Sequence, residues 1–86
     1  MASYRLLIKP SAAKELEALP RKDRSCIVAK TEGLADNPRP PGSEKLSGEE
    51  KYRLRQGDYR VLYSIQDAST TVTVVKIRHR REVYRR

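Results

Sequence analysis

Hydrophobic and polar positions follow two periods along this chain. Tyr4-Arg5-Leu6-Leu7-Ile8-Lys9 predicts an opening strand closed by Pro10. Ser11 then offers a hydroxyl as helix N-cap, and Ala12, Leu16 and Leu19 recur at i, i+4 and i+7 while Lys14, Glu15 and Glu17 turn outward. Pro20 ends that helix and suits the first turn of the next, which is expected from about Arg21 to Ala35, burying Ile27, Leu34 and either Cys26 or Val28. The proline-rich run from Asp36 to Ser43 fits neither a helix nor an interior strand, so it reads as a stiff surface connection.

Beyond that connection the period becomes two. Tyr52, Leu54 and Gln56 alternate with Arg53 and Arg55, and Gln56-Gly57-Asp58 supplies a tight turn. Tyr59, Val61, Tyr63 and Ile65 alternate with Arg60, Leu62 and Ser64, and Gln66 to Ser69 turns again. Thr70 to Ile77 is a β-branched strand, and the tail from Arg78 to Arg86 is basic. The pattern predicts one α+β domain over residues 1–86 with the order β-α-α-β-β-β. A helical hairpin packs on one face of a mostly antiparallel sheet. Strand alternation puts Arg53, Arg55 and Arg60 on the face opposite the helices.

Composition narrows the class. The 86 residues include no Phe and no Trp, so the core is expected from Leu, Ile, Val, Ala and Tyr, with a thin stability margin. A single cysteine, Cys26, excludes an internal disulfide framework and fits a reducing, cytoplasmic setting; within a helix it reads as a small packing residue. No apolar run is long enough to cross a bilayer, no signal-type segment opens the chain, and no membrane partner is expected.

Charge is distributed unevenly. From Lys51 onward, ten Lys and Arg face only Asp58, Asp67 and Glu82, which accounts for +7 of the net +8. A basic surface on strands, interleaved with tyrosines, is suited to a phosphate polymer. One Cys, one His and scattered carboxylates do not make a metal-ligand set, and no glycine-rich phosphate loop or nucleophile elbow is present, so no cofactor is expected.

What remains is Arg53, Arg55, Arg60, His79, Arg80, Arg81 and Tyr84. Guanidinium groups match phosphate oxygens in shape and stabilise charge that grows during displacement. Histidine and tyrosine can move protons, and tyrosine can also stack on a base. RNA carries a 2′-hydroxyl beside each phosphate, so a metal-free site needs only phosphate stabilisation and help with two protons. A solvated arginine face is the plainer alternative. Tyr52, Tyr59 and Tyr63 fall on the apolar register and read as core; Tyr84 falls outside it and is the stronger functional candidate.

The stretch Leu46-Ser47-Gly48 followed by Tyr52-Arg53-Leu54-Arg55-Gln56-Gly57-Asp58-Tyr59-Arg60-Val61-Leu62-Tyr63 resembles the signature of RelE/ParE-superfamily toxins. The ending Ile77-Arg78-His79-Arg80-Arg81-Glu82-Val83-Tyr84 does so too, and the likeness spans essentially the whole chain, nearest to the RelE branch. The resemblance implies the toxin of a type II toxin–antitoxin pair, one that enters the ribosomal A site and cuts mRNA there. It implies catalytic parts for Arg60, Arg80, Tyr84 and His79, RNA contacts for Lys51, Arg53, Arg55, Arg78 and Arg81, and an acidic antitoxin segment that wraps the toxin. Arg53 and Arg55 stand where some members carry lysines proposed for acid–base steps. Arginine is a poor general base at neutral pH, so His79 or Tyr84 is expected to move the proton. A ParE-type gyrase inhibitor and a non-cutting RNA-binding module remain the competing readings.

Overall fold

The computed structural model describes residues 3–46 and 51–79. Strand β1 (Arg5–Ile8) leads into helix α1 (Pro10–Glu17) and helix α2 (Arg21–Glu32), which tightens into a 3-10 turn at Gly33–Ala35. The second half holds β2 (Ser43–Lys45), β3 (Lys51–Gln56), β4 (Tyr59–Gln66) and β5 (Thr71–His79). They form one five-stranded sheet in the order β1-β5-β4-β3-β2. β1 runs parallel to β5 and every other pair is antiparallel. The α+β class, the helical hairpin and the mostly antiparallel sheet are as the sequence predicts.

Four local expectations change. Pro10 does not merely close β1: it occupies the first turn of α1, where its missing N–H has no helical partner to lose, and Lys9 rather than Ser11 is the N-cap. Residues 43–45 form a fifth, edge strand, Ser43 to Lys45 pairing with Leu54 to Tyr52. Three mostly polar residues carry no readable period, so only pairing with β3 defines them. Cys26 is exposed and not part of the packing. The fourth change is in β5. Its pairing with β4 shifts between Leu62 and Tyr63, so that Leu62 faces Lys76 while Tyr63 faces Val74. Val75 is the extra residue of a β-bulge, and everything after it changes face.

The bulge lets one strand serve the core twice. Val72 and Val74 point to the helices, and so does Ile77, three residues on, where regular alternation would turn it outward. They pack with Tyr52, Leu54, Val61, Tyr63 and Ile65 of the neighbouring strands and with Ala12, Ile27 and Leu34 of the helical layer. Each fully buried aliphatic side chain contributes roughly 1.5–3 kcal/mol relative to exposure. Tyr63 is wholly buried, and its phenol donates to the Pro38 carbonyl at 2.7 Å, which ties the proline-rich connection to the sheet.

A second tie lies beside it. Arg39 donates to both oxygens of Asp67, at 2.9 and 3.4 Å, and its Nε donates to the Tyr52 hydroxyl at 3.0 Å. Tyr4 donates to the same Asp67 at 2.6 Å. The Arg39 and Tyr4 hydrogen bonds hold the Asp67 carboxyl below its ordinary range. These contacts fix the connection that delivers β2 to the edge of the sheet.

At the opposite edge, β1 covers only Thr71 to Val74, which leaves the outer half of β5 paired with β4 on one side and without a strand on the β1 side among the described residues. Glu15 of α1 fills part of that gap: Oε1 accepts the Ile77 backbone N–H at 2.9 Å, and Oε2 pairs with Arg78 at 3.1 Å. Among the described residues, no helix is long and apolar enough to cross a membrane.

Candidate functional site

The open face of the sheet is built by parity. Tyr52 and Leu54 turn inward, so Lys51, Arg53 and Arg55 turn outward on β3. Val61 and Tyr63 turn inward on β4, which leaves Arg60 and Leu62 facing out. Register places Arg55 directly across from Arg60 and Arg53 across from Leu62. The tight turn at Gly57 and Asp58 makes this alignment possible; Gly57 has φ +59°, which a side chain rarely tolerates, as a two-residue hairpin of the II′ class requires.

Arg53, Arg55 and Arg60 line one open cleft of about 310 Å³, completed by Gly42 and Glu44 from the β2 edge. Arg60 is only 5% exposed, so its stem is packed into the sheet and its guanidinium is held in a narrow range; Nη1 donates to the Tyr59 carbonyl at 3.4 Å. Arg55 stands exposed across from it. Glu44 lies across from Arg53, and the two form an ion pair at 2.6 Å. That hydrogen bond, with the fields of Arg53, Arg55 and Arg60, lowers the Glu44 carboxyl below its ordinary value. No sequence signal had marked Glu44; the only pointer to it is its cross-strand position, which required β2 to be recognised.

The other predicted residues divide. Lys51 lies on the same face as the arginines and is exposed. Arg78 is opposite Arg60 by register, yet its guanidinium reaches back over the sheet edge to Glu15 and so does not line the cleft. His79, which with Tyr84 is the sequence's candidate for moving the proton, does not line the arginine cleft. The bulge at Val75 turns His79 to the helix side, where its ring meets the edge of Tyr59 at 5.2 Å between centroids. There it lines a separate cleft of about 270 Å³ with Asp23, Cys26, Asp58 and Tyr59, and Tyr59 donates to Asp23 at 3.3 Å. Arg80, Arg81 and Tyr84 lie outside the described residues. Among the described residues, no group of three or more His, Cys, Asp or Glu is arranged to hold a metal ion.

Fold and site together define a small α+β domain with a helical layer on one side and a cationic cleft on the other. The ParE toxin family of type II toxin–antitoxin systems matches residues 6–84. Toxin RelG of Mycobacterium tuberculosis is 32% identical over 87 residues, an alignment that covers 96% of this chain and 98% of that protein. The archaeal RelE–RelB complex from Pyrococcus horikoshii aligns with a TM-score of 0.83 at 30% identity, covering 91% of this chain and 96% of that one. The toxin–antitoxin complex RelBE2 from Mycobacterium tuberculosis aligns at 0.82, also at 30% identity, over 93% and 94%. The chain belongs to the RelE/ParE superfamily of type II toxin–antitoxin toxins, on its RelE branch.

Proposed function

We propose that this toxin is a metal-independent endoribonuclease that cuts mRNA on the ribosome. The observation that carries the reading is the convergence of Arg53, Arg55 and Arg60 on one cleft of the open sheet face. A phosphodiester seated there meets guanidinium groups from two strands, one of them held nearly rigid by burial. The 2′-oxygen attacks phosphorus, its proton passes to a base, and the bond to the 5′-oxygen breaks as that oxygen gains a proton. The products are a 2′,3′-cyclic phosphate and a 5′-hydroxyl. Arg60 stabilises the charge on the non-bridging oxygens, and Arg53 and Arg55 position the strand. Proton transfer falls to Tyr84, with Arg80 as a second phosphate contact, both supplied by the segment that follows His79. His79 sits across the sheet from the cleft and so has no direct part.

The partner we assign is an antitoxin whose acidic segment neutralises this cleft, as the toxin–antitoxin complexes among the structural relatives suggest. Lys51 and the basic tail, with Arg81, would grip ribosomal RNA, and that grip weakens as salt rises.

Primer extension on an mRNA in a translating extract tests the reading. New 5′ ends within codons are expected, and they are lost with Arg60→Ala, whose fold is checked by circular dichroism. A ParE-type gyrase poison is the second reading, favoured by the family match and by Arg53 and Arg55 standing where a general base would be sought. Cleaved DNA that depends on gyrase, with no new RNA ends, would select it.

A further inference from the structure

The arginine cleft already contains an anion. Glu44 reaches into it from β2 and holds Arg53 at 2.6 Å, so one of the guanidinium forks that would grip a phosphate is engaged within the protein. The pairing is cross-strand and in register, hence a built feature of the edge and not a chance surface encounter. Both side chains keep much of their solvent access, 37% for Arg53 and 65% for Glu44. An ion pair so exposed, resting on a single Nη2–Oε1 contact, is weakly held, and a phosphodiester oxygen can replace it.

Building on the nuclease reading above, we propose that Glu44 is an internal counter-ion: its carboxylate takes the phosphate's seat at Arg53 in the free toxin and is exchanged for an RNA phosphate when substrate binds. Glu44 thereby sets the affinity of the cleft for RNA without taking part in the bond-breaking step. With Glu44 in place, the Arg53, Arg55 and Arg60 cluster carries one negative charge against three positive ones. After exchange, the displaced carboxylate still stands on the strand next to Arg53 and repels the incoming phosphate. Replacing it by an amide removes both the competition and the repulsion.

The test uses the full chain and a labelled single-stranded RNA, 2′-O-methylated so that it cannot be cut, with binding read by fluorescence anisotropy. Glu44→Gln and Glu44→Ala should each bind roughly three- to fivefold tighter than wild type at low salt, with the gain shrinking as salt screens the site. If Glu44 instead holds Arg53 in position for RNA, both variants bind more weakly; if it is idle, they bind equally. Either result overturns the proposal. An Arg53→Gln, Arg55→Gln, Arg60→Gln triple variant separates this idea from the site itself. Unchanged binding by the triple variant removes the cleft from RNA recognition and the counter-ion with it, whereas weakened binding alongside an unmoved Glu44→Gln defeats the counter-ion alone. In the ribosomal cutting assay, Glu44→Gln should lower the ribosome concentration needed for half-maximal rate and leave the saturated rate within about twofold. Loss of the saturated rate would make Glu44 a participant in proton transfer and refute a purely competitive part.

Discussion

Replacing Tyr63 by phenylalanine removes one oxygen atom from the centre of the molecule and isolates the step that holds the proline-rich connection to the sheet. The Tyr63 phenol is fully buried and donates to the carbonyl of Pro38, itself buried, at 2.7 Å. The phenyl ring keeps the stacking with Tyr52, whose centroid lies 5.8 Å away, so packing changes little. What changes is the Pro38 carbonyl, left without its donor where water does not reach. Such an orphan acceptor costs about 1–3 kcal/mol. For a domain of this size each kcal/mol moves the midpoint by about 4–8 °C, so Tyr63→Phe should melt roughly 4–24 °C below wild type. Tyr52→Phe is the matched control. It also deletes one hydroxyl, yet its partner Arg39 is 42% exposed and can turn to water, so the loss should stay under about 1 kcal/mol. Thermal unfolding followed by circular dichroism measures both. A Tyr63→Phe midpoint within about 2 °C of wild type, or no lower than that of Tyr52→Phe, would refute the claim that this bond anchors the connection.

Other outcomes follow from the same contacts. Glu15→Ala strips the acceptor from the Ile77 N–H and should lower urea-unfolding stability by about 1–2 kcal/mol, whereas Glu15→Gln keeps an acceptor oxygen and should lose less; equal losses would contradict the edge-cap role. Asp67 has a depressed folded-state pKa, so the stability it lends is present above its unfolded value and is lost as pH falls through the folded value. Asp67→Asn should therefore be less stable than wild type at neutral pH, with the gap closing below about pH 4 in an acid titration; a gap that persists at low pH would place the effect elsewhere. Gly57→Ala, forced to adopt φ +59°, should destabilise the hairpin that sets Arg55 against Arg60, measured as a lower unfolding midpoint.

Long, regular features were readable from residues alone. The helical repeat of Ala12, Leu16 and Leu19 and the alternation through β3 and β4 carry enough period to fix both element and face, which is why the outward placement of Arg53, Arg55 and Arg60 matches the expectation. Short or irregular features were not readable. β2 has three residues and depends on its partner for identity, so Glu44 went unnoticed as a neighbour of the arginines. The face taken by His79 is not readable from the residues because of Val75. Counted outward from Val72 and Val74, position 79 falls on the open face, and one unpaired residue reverses that parity. A hint lay in the sequence, since Val74 and Ile77 are both apolar and three apart, a spacing that a flat strand with one buried face does not favour.

That reversal also gives the two surfaces different side-chain chemistry. His79 ends up beside Tyr59 and Asp23 on the helix side of the sheet. Among the described residues, the outward cleft is lined by three guanidinium groups and one carboxylate whose pKa they lower. A polyanion approaching the outward side therefore meets guanidinium forks from two neighbouring strands, while the imidazole stands behind the sheet and out of its reach.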